Sequence, residues 1–168
     1  MQYAWTCRCC GRQFDTLPLD FAAPAPDYWF EIPEAERERR ALLNADFCTI
    51  DGEYHFIRGC LEIPIIGMDE VFVWGVWVSL SEASMRRAAE LWNAEVIEDE
   101  PPRFGWLSTN IRVYPRTLEL KAAVHFRGGN LRPRIEVEAT DHPLAVEQRQ
   151  GITVERVQEI AAALLHRH

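Results

Sequence analysis

No stretch of this 168-residue sequence is apolar for long enough to cross a bilayer. The longest strongly apolar run, Val71 to Val78, is under half of the roughly 20 residues that a spanning helix needs. The start lacks a basic stretch followed by an apolar one, so no secretory leader is expected. Positive charge is also scarce: 18 Lys and Arg against 26 Asp and Glu leave a net charge of -8. That argues against nucleic acid or an anionic membrane as the main partner, since both need a positive footprint. Local basic clusters exist, but Arg37, Arg39 and Arg40 alternate with Glu34, Glu36 and Glu38 and read as a solvated helix face. Cysteine is too irregular for a secreted disulfide framework, with five in all and three of them crowded into Cys7–Cys10. The cytoplasm is the expected location. Internal repeats, low-complexity tracts and a nucleophile elbow are all missing, and no other catalytic motif stands out.

What is present fits one ordinary domain over 1–168, with 48% hydrophobic and 26% charged residues. Residues 1–17 form a cysteine-turn hairpin, 18–30 an extended proline-containing segment, and 31–168 the body. Pro33 followed by 34–43 predicts a helix, with proline at the first turn and acidic residues at the positive end. Asp51-Gly52 between two β-forming runs predicts a hairpin with a type I′ turn. With those two residues as the loop, Ile50 faces Glu53, Cys48 faces His55 and Asp46 faces Ile57. Strands are expected at 60–66 and 71–80, the second apolar on both faces and central to the sheet, with Gly75 marking a bulge or a close backbone approach. Ser79-x-x-Glu82 reads as a capping box before a helix near 81–95. Phe104-Gly-Trp-Leu is a short strand or a turn. A second hairpin is expected from 117–127 and 131–139, pairing Ala122 with Ile135 and Lys121 with Glu136. Asp141-His142-Pro143 starts a short helix that Gly151 ends, Asp141 serving as its cap. Thr153 caps a last helix with Val154, Val157, Ile160, Ala161 and Leu164 as its buried stripe, and with His166, Arg167 and His168 at its negative end. The fold class is therefore α+β, a largely antiparallel sheet of hairpins and meander flanked by three to four helices.

Cys7-Arg8-Cys9-Cys10-Gly11 is the sharpest chemical feature. Two thiols at this spacing grip a metal ion when the following turn aims backbone amides at the sulfurs. A closed tetrahedral zinc site needs two more ligands, and the hairpin register offers Cys48 and His55, with Cys60 in reserve and Cys9 able to replace either member of the first pair. A structural zinc on Cys7, Cys10, Cys48 and His55 stands beside two alternatives: buried thiols that need no metal, and a redox pair, which lacks the βαβ surroundings such pairs favour.

For acid–base or nucleophilic work the candidates are His125, His142 with Asp141, Glu147 and Ser108. His125 facing Arg132 on the polar side of the sheet reads as a surface histidine. Trp77 and Trp106 are natural anchors for a partner if exposed.

Four runs, 56–65, 74–81, 104–108 and 140–148, together with the cysteine turn, resemble the bacterial domain-of-unknown-function family 2199 over nearly the whole chain. The resemblance implies one intact domain and carries no activity. It also implies a histidine three residues after the glycine of the cysteine turn, where this chain has Phe14, so a metal site here must recruit His55 or Cys60.

Two functional classes follow. The first is a binding or regulatory module whose partner is another protein, met through the aromatic and acidic surface, an inhibitor of a bacterial toxin being one version. The acidic balance and the lack of a catalytic motif favour it. The second is an enzyme with a polar pocket formed by His142, Glu147, Arg132 and Arg58.

Overall fold

The computed structural model describes residues 4–95 and 97–166. Arg167 and His168, expected at the end of the last helix, lie outside them. The first hairpin is as expected: β1 (Trp5–Thr6) pairs antiparallel with β2 (Gln13–Phe14), and the Trp5 and Phe14 rings stack at 5.0 Å. The proline-containing segment is extended in part and lies against the body. It contributes β3 (Asp20–Ala22), parallel to the middle of a later strand, and the short α1 (Asp27–Glu31). The helix after Pro33, α2 (Glu34–Arg40), is shorter than its sequence suggested, because Ala41–Leu43 leaves it to form β4 beside β5 (Phe47–Ile50).

At the heart of the fold lie β6 (Tyr54–Pro64) and β7 (Val71–Leu80), paired antiparallel along their whole length. The two runs expected at 53–58 and 60–66 are one continuous strand. β8 (Arg103–Leu107), β9 (Lys121–His125) and β10 (Arg134–Val137) continue antiparallel from β7, and β10 returns to β6 through a parallel pairing of Arg134 with Cys60. The result is a closed five-strand mixed barrel, β6-β7-β8-β9-β10, with β3 added beside β7 and with β5 and β4 added beside β6. The sheet is largely antiparallel, as expected from sequence, but its closure into a barrel and the parallel pairings of β10 with β6 and of β3 with β7 differ from the expected meander. Closure and the two parallel contacts depend on where long β6 and β7 split their free edges, which hydrophobic alternation does not encode.

Alternation does explain the core. Phe72, Trp74, Val76, Val78 and Leu80 point into the barrel with Ile57, Leu61 and Ile63, while Trp77 and Phe56 face the other way into a second cluster with Ile32, Cys48 and Ile50. β7 is apolar on both faces because both faces are covered.

Among the described residues there are five helices, against the three to four expected, because the proline-containing segment adds the short α1; the last three are α3 (Glu82–Leu91), α4 (Pro143–Gln150) and α5 (Val154–Leu165). The cap of α3 is Ser81, whose hydroxyl accepts from the Ser84 amide, while Ser79 stays in β7 and accepts from the Trp106 amide. Likewise His142, and not Asp141, caps α4, its Nδ1 accepting from the Leu144 amide. Gln148 ties α4 to the barrel, its side chain bonding both the Val137 amide and the Ile135 carbonyl at 2.9 Å. Thr153 caps α5 as expected, and Val157, Ile160 and Ala161 are its buried stripe.

Both hairpin registers differ from expectation. Asp51 and Gly52 do sit at φ 54° and 66°, and the Glu53 amide donates to the Ile50 carbonyl, closing the expected turn. Glu53 is then an extra residue, so Ile50 pairs with Tyr54, Thr49 with His55 and Cys48 with Phe56. In the second hairpin Ala122 pairs with Val137 and Ile135 with Val124, a slip of two that preserves the faces. Its loop is longer because the Gly129 and Asn130 amides donate to the Ala94 and Trp92 carbonyls just beyond α3.

Candidate metal centre and binding cleft

The cysteine turn is a compact backbone loop. The Gly11 amide donates to the Cys7 carbonyl at 2.8 Å and the Cys7 amide to the Arg12 carbonyl at 2.9 Å, with Gly11 at φ 72° as the left-handed residue that lets the chain fold back. Cys7 is buried and Cys10 exposed. Burial raises the Cys7 thiol pKa, but amides of Cys10 and Cys9 aimed at its sulfur, together with the Cys10 thiol, bring it below the ordinary value. The third member comes from the far end of the chain. His166, at the C-cap of α5, places Nε2 at 3.2 Å from Cys7 Sγ and 3.3 Å from Cys10 Sγ. The three ligand atoms lie within 4.8 Å of one another, and this group could hold a metal ion such as zinc.

The other cysteines and His55 are placed elsewhere. Cys48 belongs to the second core cluster, where burial pushes its thiol up to about 11. There it is a small hydrophobe. His55 Nδ1 lies 3.2 Å from Thr49 Oγ1, and the one-residue register shift removes the expected Cys48–His55 pairing. Cys60 sits at the β6–β10 closure and Cys9 is exposed. Among the described residues, Cys7, Cys10 and His166 are the cluster of this kind. Sequence reading marked His166 only as a residue at a helix C-terminus. The heptad-like stripe of α5 fixes its face, but which hairpin that face meets is a tertiary fact.

The residues proposed for binding or catalysis separate into different places. Trp77 is fully buried and its indole donates to the Ala23 carbonyl, so it is a core residue and no surface anchor. Trp106 is exposed, beside Phe104 at 5.0 Å. Arg132 pairs with Asp46 at 2.8 Å, and Arg58 lies beside them, its guanidinium pKa lowered by burial and then by Arg132. His142 and Glu147 are on α4. The His142 ring caps its own helix through Nδ1, while Nε2 donates toward the Pro115 and Arg116 carbonyls. Glu147 accepts from the buried Tyr114 hydroxyl and from Arg156 at 2.8 Å. Tyr114 in turn accepts from the Trp74 indole. This Trp74–Tyr114–Glu147–Arg156 chain was not evident in the sequence, since its members are 9 to 40 positions apart. His125 Nε2 lies 3.6 Å from Glu136, and the hydroxyl of buried Ser108 donates to the Trp106 carbonyl.

Trp106 forms one wall of a cleft of about 740 Å³, with Tyr28, Ile32, Ile50, Tyr54, Phe56 and Ser108 among its lining. Its charged residues are Glu31, Asp51, Glu119 and Arg40. Arg40 is engaged by both oxygens of Asp51, at 2.9 and 3.0 Å, and Glu119 accepts from the Tyr28 hydroxyl at 3.1 Å. Burial raises the Tyr28 pKa, and Glu119 and Glu31 raise it further. The cleft is therefore aromatic and net acidic, and Arg58, Arg132, His142 and Glu147 are not part of its lining.

The family model described as an uncharacterized protein conserved in bacteria, domain-of-unknown-function family 2199, matches residues 6–152. The chain belongs to this family. The matched span of the family 2199 model takes in the cysteine turn and the aromatic cleft but ends before α5, so His166 lies beyond it. Comparison with curated proteins and with solved structures finds no match. Among the described residues, no helix is long and apolar enough to cross a membrane.

Proposed function

We propose that this family 2199 protein is a cytoplasmic, non-enzymatic binding module that takes a basic segment of another protein into its aromatic cleft. The observation that carries this reading is the composition of the cleft. Tyr28, Tyr54, Phe56 and Trp106 gather around Glu31 and Glu119, while the one cationic side chain is already neutralised by Asp51. Aromatic faces attract cations, and uncancelled carboxylates add to that attraction. The overall charge of -8 would steer a basic partner toward the molecule. The polar groups in the cleft pair with one another: Ser108 with a carbonyl, Tyr28 with Glu119 and Arg40 with Asp51. That arrangement suits recognition better than acid–base work, which needs a nucleophile within reach of its base. An inhibitor covering a basic face of a bacterial toxin is one form such a module takes.

Affinity capture from the native bacterium tests the reading, with the intact protein and its Trp106→Ala variant run side by side. Loss of a central tryptophan costs about 2 kcal/mol or more, roughly 30-fold in Kd, so the partner should largely disappear from the variant. The same partner recovered equally by both proteins would place its contact outside the cleft and end the proposal.

A further inference from the structure

The first hairpin has two strands of two residues each, too little to be stable by itself, yet Trp5 and Cys7 are buried in the main core. Something must hold this turn against the body. It lies along α5, where Trp5, Arg8 and Cys9 face Glu155, Gln158, Glu159 and Ala162 across a small cleft. At the end of that helix His166 reaches the two cysteine sulfurs.

We propose that Cys7, Cys10 and His166 bind one zinc ion, which clamps the N-terminal turn to the end of the C-terminal helix, with a solvent molecule as the fourth ligand. Tetrahedral zinc, with bonds of ~2.3 Å to sulfur and ~2.0 Å to imidazole nitrogen, sets S···N edges of about 3.5 Å. The observed 3.2 and 3.3 Å are within a few tenths of an ångström of that value, and the two sulfurs lie within 4.8 Å of each other. Two thiolates and an imidazole are the donor set that selects zinc over magnesium or calcium. The fourth position falls to solvent because Cys10 is exposed, and neither Cys9 nor any other described His, Cys, Asp or Glu joins the group. The ligands are 156 and 159 positions apart, so the ion closes a very long loop and finds no comparable site in the unfolded chain.

Full-length protein without an affinity tag, purified under reducing conditions, is analysed for zinc and titrated with cobalt(II). Wild type is expected to hold about one equivalent of zinc and to show thiolate-to-cobalt charge transfer of the strength that two thiolates give. Losing an outer-shell partner costs about 10–100-fold in metal affinity, so Cys10→Ser and His166→Gln should each lose more than about tenfold. His55→Gln should bind as wild type does. Circular dichroism confirms that each variant is folded, and the charge-transfer intensity of wild type reads the thiolate count without any variant. Less than about a tenth of an equivalent in wild type would overturn the proposal, as would a single-thiolate spectrum. So would unchanged binding in His166→Gln, or loss of binding in His55→Gln.

Discussion

Gly105 separates Phe104 from Trp106 on β8, and its lack of a side chain sets where Trp106 stands. A Cβ built there would lie 2.3 Å from the Ser79 carbonyl oxygen and 2.3 Å from Val78 Cγ1. The valine methyl could rotate away, but the carbonyl belongs to β7, the strand that β8 pairs with at Val78–Leu107 and Ser79–Trp106. Carbon and oxygen need about 1 Å more than this, so Gly105→Ala forces the two strands apart within a barrel whose spacing is otherwise fixed by hydrogen bonds. Overpacking of this kind costs about 1–3 kcal/mol, and a clash with backbone belongs at the upper end. For a chain of this size that is roughly 6–12 °C in Tm. Gly52→Ala provides the comparison: nothing lies within 4 Å of its Cβ, and its φ of +66° leaves only the left-handed backbone strain, roughly 1–2 kcal/mol. Thermal unfolding of both variants, with the near-ultraviolet signal of the tryptophans followed in parallel, tests the reasoning. Gly105→Ala should fall well below Gly52→Ala in Tm. Equal or smaller destabilisation by Gly105→Ala would show that β8 does not approach β7 as closely as described.

Tyr114→Phe strips the Trp74 indole of its acceptor and Glu147 of a donor in a buried setting. It should cost about 1–3 kcal/mol in urea unfolding, and a change within the ~0.5 kcal/mol of ordinary surface substitutions would argue against the network. Glu100 is held at about 2, from an ordinary 4.5, first by its hydrogen bond from Arg87 and then by that from Arg103. A carboxylate with a depressed folded pKa contributes stability that is complete above its unfolded pKa and is lost as pH falls through its folded pKa. The stability gap between wild type and Glu100→Gln should therefore be constant above pH 4.5 and shrink toward pH 2. A gap that does not change with pH across that window would contradict the ion-pair assignment.

Local chemistry was legible in the sequence where it is enforced by a few neighbouring residues. The Asp51-Gly52 turn, the Thr153 cap, the Gly151 stop and the buried stripe of α5 all follow from backbone preference and helical period. Gly75 does mark a close approach, its missing Cβ making room for Ala22 on β3. Register was less legible, because one extra residue at Glu53 moves His55 from Cys48 to Thr49, and composition does not announce a bulge. Part of the candidate metal centre was visible in Cys7 and Cys10. The rest was not, since His166 reaches them only because α5 lies along the hairpin. Phe14, standing where the family resemblance implies a histidine, stacks on Trp5 and supports the turn by ring packing. The cleft was legible only as a surplus of tryptophan and acid, for a residue such as Trp77 looks like Trp106 until the fold buries one and exposes the other.

The most direct measurement of the account is site-specific photo-crosslinking in living cells of the native bacterium. A photoreactive phenylalanine analogue replaces Phe104, exposed and 5.0 Å from Trp106, in one strain and the exposed Arg149 at the end of α4 in another, so that Trp106 itself stays in place. A basic partner seated in the cleft predicts one discrete crosslinked species from position 104, weakened as ionic strength is raised in the matching lysate, and none from position 149. No crosslink from position 104, or the same species from both positions, would contradict it.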